Sequence, residues 1–442
     1  MKPGKTRAAA EPVLRDATAP AGQQTHAARP SSAGVPGPSD PSRTTASTPA
    51  ADTPGPLRSP WVRLKYLSYS TQLYPAMIAE ASSDAVPGSL VTVYDRQGRV
   101  FGTGLYHPRA RVPLRMFRHG EEPFTEEDFL VLLDRAVELR LQLLHLPEVT
   151  DAFRVVHSDG DGLGGLVVDR FADVLSVEVQ SLGVWQRLPR WLAHLHRRLG
   201  TRREVIEVTD LAARVEGVPR QAPDAAVRPV KIREYGVVYE VDFAEGHKTG
   251  FFCDQRENRL RLARLVQPGQ SVLDLCCYTG GFALAAAVLG KAGDVTGVDL
   301  DEKAVARARR NAHLNQVRVQ WVHCDAFSYA RQMQRNGRQW DVVVLDPPKF
   351  VASREEMQEG LKRYEDLNRL AAALVRPGGL LVTCSCSGLV SEEMFEKVVI
   401  RAVHKQSRRL QILERSGAGP DHPVWSACPE GRYLKVLWCR VW

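Results

Sequence analysis

Apolar and polar positions change rhythm twice along this chain. Over 89–94 they alternate, residues 95–98 carry turn formers, and 99–106 alternate again, which predicts a β-hairpin. From 126 to 144 the period lengthens, and Phe129, Leu130, Leu133, Val137, Leu141 and Leu144 share one face of a helix. Residues 61–140 therefore read as a small β-rich unit, opening at Trp61 and closed by that helix. Between 145 and 243, strands expected at 163–169, 174–179, 205–208 and 237–243 accompany a helix at 185–199 that ends at Gly200, an α+β unit. From 246 to 442, short apolar runs at 271–275, 294–298, 317–322, 342–345 and 379–383 alternate with helical stretches such as 302–314 and 361–374. Alternation of strand and helix predicts a parallel, doubly wound sheet.

Residues 1–60 break the pattern. They hold 11 of the 28 prolines and no Trp, Tyr or Phe. Such a segment buries too little apolar surface to offset its ordering entropy, so a disordered, low-complexity tail is expected. Across all 442 residues, 44% are hydrophobic and 25% charged, an ordinary globular balance. No run of 18 apolar residues occurs, so no spanning helix and no membrane partner is expected. All eight cysteines lie at or beyond Cys253, without CxxC or HExxH spacing. That pattern predicts a reducing, cytoplasmic setting and no metal. The net charge of +8 is compatible with an anionic partner. A homodimer is compatible with the sequence, which does not fix oligomeric state.

Ligands of an open parallel sheet bind outside the carboxyl ends of its strands. Asp274 and the turn to Gly280-Gly281 follow the first expected strand, Asp299 the second and Asp325 the third. Asp346-Pro347-Pro348 follows the fourth, and Cys384 and Cys386 the fifth. Each has a bland reading: Asp299 or Asp301 as a helix cap, Asp325 as a turn residue, the glycines as a tight turn. Five in register on five successive strand ends point to a site. Asp299 lies 18 residues after Gly281, where an acid can accept from ribose hydroxyls. Gly280-Gly281 is not GxGxxG, so pyrophosphate cradling, and with it a nicotinamide oxidoreductase, is disfavoured. S-adenosylmethionine needs only close backbone approach.

Five pieces carry a more specific resemblance. They are Gly246-His247-Lys248-Thr249-Gly250-Phe251-Phe252-Cys253-Asp254-Gln255-Arg256, Tyr278-Thr279-Gly280-Gly281-Phe282, Asp346-Pro347-Pro348-Lys349-Phe350, Ser385-Cys386-Ser387-Gly388, and Asp421-His422-Pro423-Val424 with Pro429-Glu430-Gly431. In order and spacing the chain resembles the bacterial large-subunit ribosomal RNA cytosine-C5 methyltransferases with an N-terminal PUA domain. These are class I S-adenosylmethionine-dependent enzymes. The resemblance implies an α/β fold class: a Rossmann-like methyltransferase domain, preceded by a PUA-like domain and a small α+β linking domain. It implies S-adenosylmethionine as cofactor and large-subunit ribosomal RNA as partner.

On this resemblance Cys386 is the nucleophile that adds to cytosine C6, and Asp346 is the acid at N3. Tyr278, Gly280 and Gly281 line the methionine moiety, Asp299 takes the ribose, and Asp325 the adenine amino group. Asp274 completes the acidic set. Phe252, Asp254 and Arg256 close the cofactor site, although Asp254 and Glu257 also read as a capping box. Cys384 competes with Cys386 as nucleophile. Lys349 stands where many relatives place a second cysteine, which leaves His422 as a candidate proton acceptor. For RNA, Arg96, Arg99, Arg109, Arg111, Arg115 and Arg118 lie in a stretch with no acid between Asp95 and Glu121, interleaved with Phe101, Tyr106 and Phe117. Basic and stackable groups together suit folded RNA, and a solvated arginine face is the plain alternative. Two rivals stay open: a guanine- or amino-directed methyltransferase, which needs no Cys386, and a non-catalytic RNA-binding protein.

Overall fold

The computed structural model describes residues 57–220, 227–244 and 250–442. The expected tail up to residue 56 and the 246–249 part of the first motif lie outside them.

Six strands form the first sheet: β1 Trp61–Leu64, β2 Gln72–Leu73, β3 Ile78–Ala81, β4 Ser89–Tyr94, β5 Val100–Tyr106 and β6 Leu114–His119, ordered β2-β6-β5-β4-β1-β3. The β4–β5 hairpin is present with Ser89 opposite Tyr106. Alternate residues Val62, Leu64, Val91, Val93, Leu114 and Met116 fill its core. Helix α1, Glu126–Glu138, packs on this unit through Phe117 of β6 and Leu105 of β5 but also serves the next one. Its apolar face, Phe129, Leu133 and Val137, packs with Val155, Leu188 and Trp191 in the core of the next one.

That next unit is a four-stranded sheet, β7 Ala152–His157, β8 Leu166–Phe171, β9 Val174–Val179 and β10 Arg203–Val208, with helices α2 Leu182–Leu199 and α3 Asp210–Glu216. Ser181 caps α2 and Gly200 ends it in the left-handed region, as its sequence position suggests. Strands β11 Val230–Glu234 and β12 Val237–Val241 form a hairpin turned at Tyr235-Gly236, both at positive φ.

After α4, Arg256–Leu265, comes the large sheet. Its strands are β13 Ser271–Leu275, β14 Asp294–Asp299, β15 Gln320–His323, β16 Trp340–Leu345, β17 Val375–Ser385, β18 Leu410–Ser416 and β19 Lys435–Val441. The order is β15-β14-β13-β16-β17-β19-β18. The first five are parallel, and β19 runs antiparallel to both neighbours. The interleaved helices are α5 Gly281–Val288, α6 Glu302–Leu314, α7 Ala326–Arg335, α8 Met357–Leu374 and α9 Glu392–His404. Apolar side chains cover both sheet faces, which is why its strands read as unbroken hydrophobic runs. Chain order reverses between β13 and β16, so the switch-point crevice opens at their carboxyl ends. Among the described residues no helix is long and apolar enough to cross a membrane. No cluster of three metal-ligating side chains occurs among them.

Candidate active site at the carboxyl ends of the strands

The turn after β13 is held in an uncommon conformation. Cys276 and Tyr278 both have positive φ, 62° and 49°, which side chains other than glycine seldom adopt. Gly280 follows at φ 89°, and a Cβ there would lie 2.5 Å from the Trp321 ring. Only glycine fits, and the chain then enters α5 at Gly281. The Tyr278 N–H donates to Asp299 at 2.8 Å, fastening this turn to the end of β14. The Tyr278 ring meets Phe252 edge-on, centroids 5.1 Å apart.

Acids surround the turn. Asp274 is fully buried and accepts from the Ala283 N–H at 2.9 Å, while its other oxygen has no partner. Burial, aggravated by the charges of Asp346 and Asp299, pushes its carboxyl well above the usual range. The Cys276 thiol is likewise pushed up by burial and by the charges of Asp299, Asp346, Asp274 and Asp325. All four predicted acids thus reach one thiol electrostatically. Carboxyls that burial and mutual repulsion hold toward their neutral forms regain charge beside a cation, so the cluster favours a cationic ligand.

On the other side of the crevice stand Asp346 and the cysteines. Asp346, one residue past β16, accepts from the Gln255 amide at 3.0 Å. Burial, reinforced by the charge of Asp254, raises it to about 7. Cys384 lies inside β17, fully buried, and its thiol is pushed well up by burial and by the charge of Asp346. Cys386 is the first residue beyond the strand pair and is partly exposed. The Lys435 ammonium interacts electrostatically with Cys386, donates to the Ser387 carbonyl at 2.6 Å and the Tyr433 carbonyl at 2.8 Å, and is lowered by burial to about 8.

Residues 216–436 match the model of the S-adenosylmethionine-dependent methyltransferase family, and residues 68–119 that of a PUA-like domain. A protein named ribosomal RNA large subunit methyltransferase I from Shewanella denitrificans is 36% identical over 80% of this chain and 91% of its own length. Its counterpart in Photobacterium profundum is 33% identical over 87% of this chain and 96% of its own. The chain belongs to the S-adenosylmethionine-dependent methyltransferases. A methyltransferase crystal structure complexed with SAH shares the fold at TM-score 0.70 and 22% identity, covering 84% of this chain and 96% of that one.

S-adenosylmethionine is therefore the cofactor of this methyltransferase, and the residues present fit it. The orphaned Asp274 oxygen and its acidic neighbours complement a sulfonium and an ammonium group. The glycine turn lets the backbone approach closely. The α/β methyltransferase fold and the PUA-like domain expected from the sequence are both present.

Several predicted residues have other occupations. Arg256 does not face the crevice: it is fully buried and forks onto Asp421 at 2.9 and 3.0 Å. Asp254 and Glu257 form no capping box, because Gln255 is the cap residue of α4. Asp254 instead accepts from the Tyr433 hydroxyl at 2.7 Å, and its other oxygen is buried without a partner. Asp325 caps α7, accepting from the Ser328 N–H at 2.9 Å through one oxygen. Asp301, not Asp299, caps α6. The Asp299 oxygens accept from the N–H groups of Tyr278 and Asp301, so it shapes the turn. His422 stacks edge-on against His157 and contacts Asp421 at 3.1 Å, in the buried arginine network around Asp421.

The arginine stretch divides. Arg96, Arg109 and Arg111 are exposed, and exposed Arg99 pairs with Asp95 at 2.8 Å. Arg118 is tied to the Pro123 carbonyl and Asp128 and lies over the Phe124 ring. Arg115 buries its Nε without a partner. The interleaved aromatics are not stacking platforms. Phe101 and Tyr106 belong to the core of the first sheet, and Phe117 packs on Phe124 and Phe129. The exposed aromatic rings of this unit are Tyr66, Tyr69 and Tyr74. Sequence reasoning also missed Gln255, Tyr433 and Lys435 at the crevice. Gln255 lies inside the first motif, and only the folded chain brings Tyr433 and Lys435 to it.

Proposed function

We propose that this methyltransferase forms 5-methylcytidine in large-subunit ribosomal RNA through a covalent adduct of Cys386. Its relatives' names supply the RNA class, and the arrangement around Cys386 supports the chemistry. C5 of cytosine is a weak nucleophile. Addition of a thiolate to C6, with a proton or hydrogen bond at N3, makes the C4–C5–C6 unit an enamine. C5 then bonds the methyl group, a base removes the C5 proton, and the C6–S bond breaks to restore the ring and the thiolate. Bound S-adenosylmethionine supplies the electrophilic methyl.

The observation that carries the reading is a partly exposed thiol at a strand end beside a buried ammonium. A neighbouring Lys favours the thiolate form. In this reading Asp346, near neutrality, holds a proton for N3. Asp299 and the Tyr278–Gly281 turn hold the cofactor. Phe252 lies over Tyr278 as one wall of that site. Asp325 keeps one oxygen for the adenine amino group. Cys384 is unsuited to attack because it is buried against Asp346. The amino-directed alternative requires a ring after Asp346-Pro347-Pro348 to sandwich the base. Phe350 is instead buried against Tyr364, 4.8 Å between centroids, with Arg363 over its ring.

The test is to incubate the protein with unmethylated large-subunit RNA and methyl-labelled S-adenosylmethionine, digest, and separate nucleosides. Label in 5-methylcytidine, lost in Cys386→Ser and retained in Cys384→Ser, is expected. Label in a methylated guanosine or adenosine would overturn the proposal.

A further inference from the structure

A cavity of about 490 Å³ lies between the C-terminal half of α6 and the edge strand β15. Its volume falls in the range of small-molecule sites. Arg309 and His313, one helical turn apart on α6, and Arg318 in the α6–β15 connection line it. The partners on α6 are unevenly shared. Arg307 and Arg310 pair with Glu240, and Arg307 also with Asp242. Arg309 and Arg318 have no carboxylate partner among the described residues. The cavity's only acid, Asp294, is engaged by Arg338 at 3.2 Å. Opposite the cations the wall is apolar: Val317, Val319 and the Trp321 ring, whose indole N–H is buried without an acceptor.

We propose that this cavity is a second nucleic-acid contact, taking one phosphate-bearing nucleotide of the RNA substrate. The phosphate lies on Arg309, His313 and Arg318, and the base lies against Val319 and Trp321. Two unpaired guanidiniums suit phosphate in geometry and charge. An apolar wall that includes an indole ring suits a base, as stacking surfaces do in single-strand binding. The site's cations sit at the C-terminal end of α6, the far end from the carboxyl ends of the strands, so it anchors a flanking nucleotide and does not touch the reacting base. The inference rests on the RNA reading above, and the same chemistry also fits a free mononucleotide.

The test uses the full chain and protein-free large-subunit RNA, with the double variant Arg309→Glu/Arg318→Glu. Both side chains are exposed, and unchanged affinity for S-adenosylhomocysteine verifies that the variant is folded. Losing two phosphate contacts should reduce the slope of log affinity against log salt by roughly 1.4–1.8. RNA carrying 4-thiouridine should crosslink to peptides spanning 309–321 in the wild type and not in the variant. A second arm titrates adenosine monophosphate by calorimetry. Binding lost in the variant, with the RNA slope unchanged, assigns the site to a free nucleotide. An unchanged slope, no crosslink and no variant-sensitive nucleotide binding overturn the proposal. Failure of the wild type to bind RNA at all would instead defeat the RNA reading, and the nucleotide arm would still decide the cavity.

Discussion

Replacing Arg256 by Met separates two accounts of the motif that ends there. The guanidinium is fully buried and bonds both oxygens of Asp421, itself fully buried, at 2.9 and 3.0 Å. Although burial opposes it, the carboxyl of Asp421 is held well below the usual range by His422 and Arg256. Its charge therefore stabilises the fold at every pH above the ordinary carboxylate value. That stability is lost only as pH falls through the lowered folded value. Arg256→Met leaves the charge buried. Removing one partner of such a pair costs about 3–5 kcal/mol. Asp421 keeps the Arg154 N–H at 3.0 Å and His422 at 3.1 Å, so a cost of about 3 kcal/mol, at the lower end of that range, is expected. The apparent melting temperature should fall by roughly 6–12 °C. Adding Asp421→Leu should recover much of the loss, because an apolar pair removes the stranded charge. S-adenosylhomocysteine affinity, measured by calorimetry below the transition, should stay within about threefold of wild type, well under the tenfold that 1.4 kcal/mol represents. Wild-type melting with affinity reduced tenfold or more would refute this and return Arg256 to the cofactor site.

Asp299→Ala should weaken S-adenosylmethionine by about 1.5–3 kcal/mol in calorimetry, since a charged acceptor and the anchor of the Tyr278 turn are both lost; unchanged affinity would remove Asp299 from the site. Asp346, raised to about 7, must keep its proton to serve N3, so activity should decline as pH rises through that value. Asp254→Asn removes the anion that helps raise it, and the alkaline limb of the pH–rate profile should move to lower pH; an unmoved limb would separate Asp254 from Asp346. Arg109→Glu with Arg111→Glu should flatten the salt dependence of RNA binding while cofactor affinity stays intact, and an unchanged slope would shift the RNA surface away from this face.

The parallel sheet was legible because burial on both faces leaves continuous apolar runs. Ser271–Leu275 and Glu302–Leu314 were located to the residue, the latter by its Asp301 cap. The edge strand was harder: Val317-Arg318-Val319 alternates as a strand would, yet only Gln320–His323 pairs with β14. Helix α1 shows the limit of periodicity, which defines a buried face without saying which core receives it. Arg256 and Arg118 show the same limit for charge. A cation's partners lie elsewhere in the chain, 165 residues away for Asp421, and they decide whether it meets solvent, ligand or a buried acid. Phe101, Tyr106 and Phe117 alternate with arginines in sequence, but strand pleating turned these rings inward. The acids at the strand ends were found because fold class alone places them there. Lys435 was not, because it arrives on an antiparallel strand that follows no βα alternation.

The most direct test of the central claim is covalent capture by RNA in which cytidines are replaced by 5-fluorocytidine. After thiolate addition and methyl transfer, C5 carries fluorine in place of the proton that must leave, so elimination stops and the adduct persists. The account predicts a denaturation-resistant protein–RNA complex that requires S-adenosylmethionine. After digestion, mass spectrometry should place the nucleotide on Cys386. Cys386→Ser should form none, since a serine hydroxyl is far less ionised than a thiol at neutral pH, while Cys384→Ser should still be trapped. Undiminished turnover by Cys386→Ser, or an adduct mapped to another residue, would contradict it.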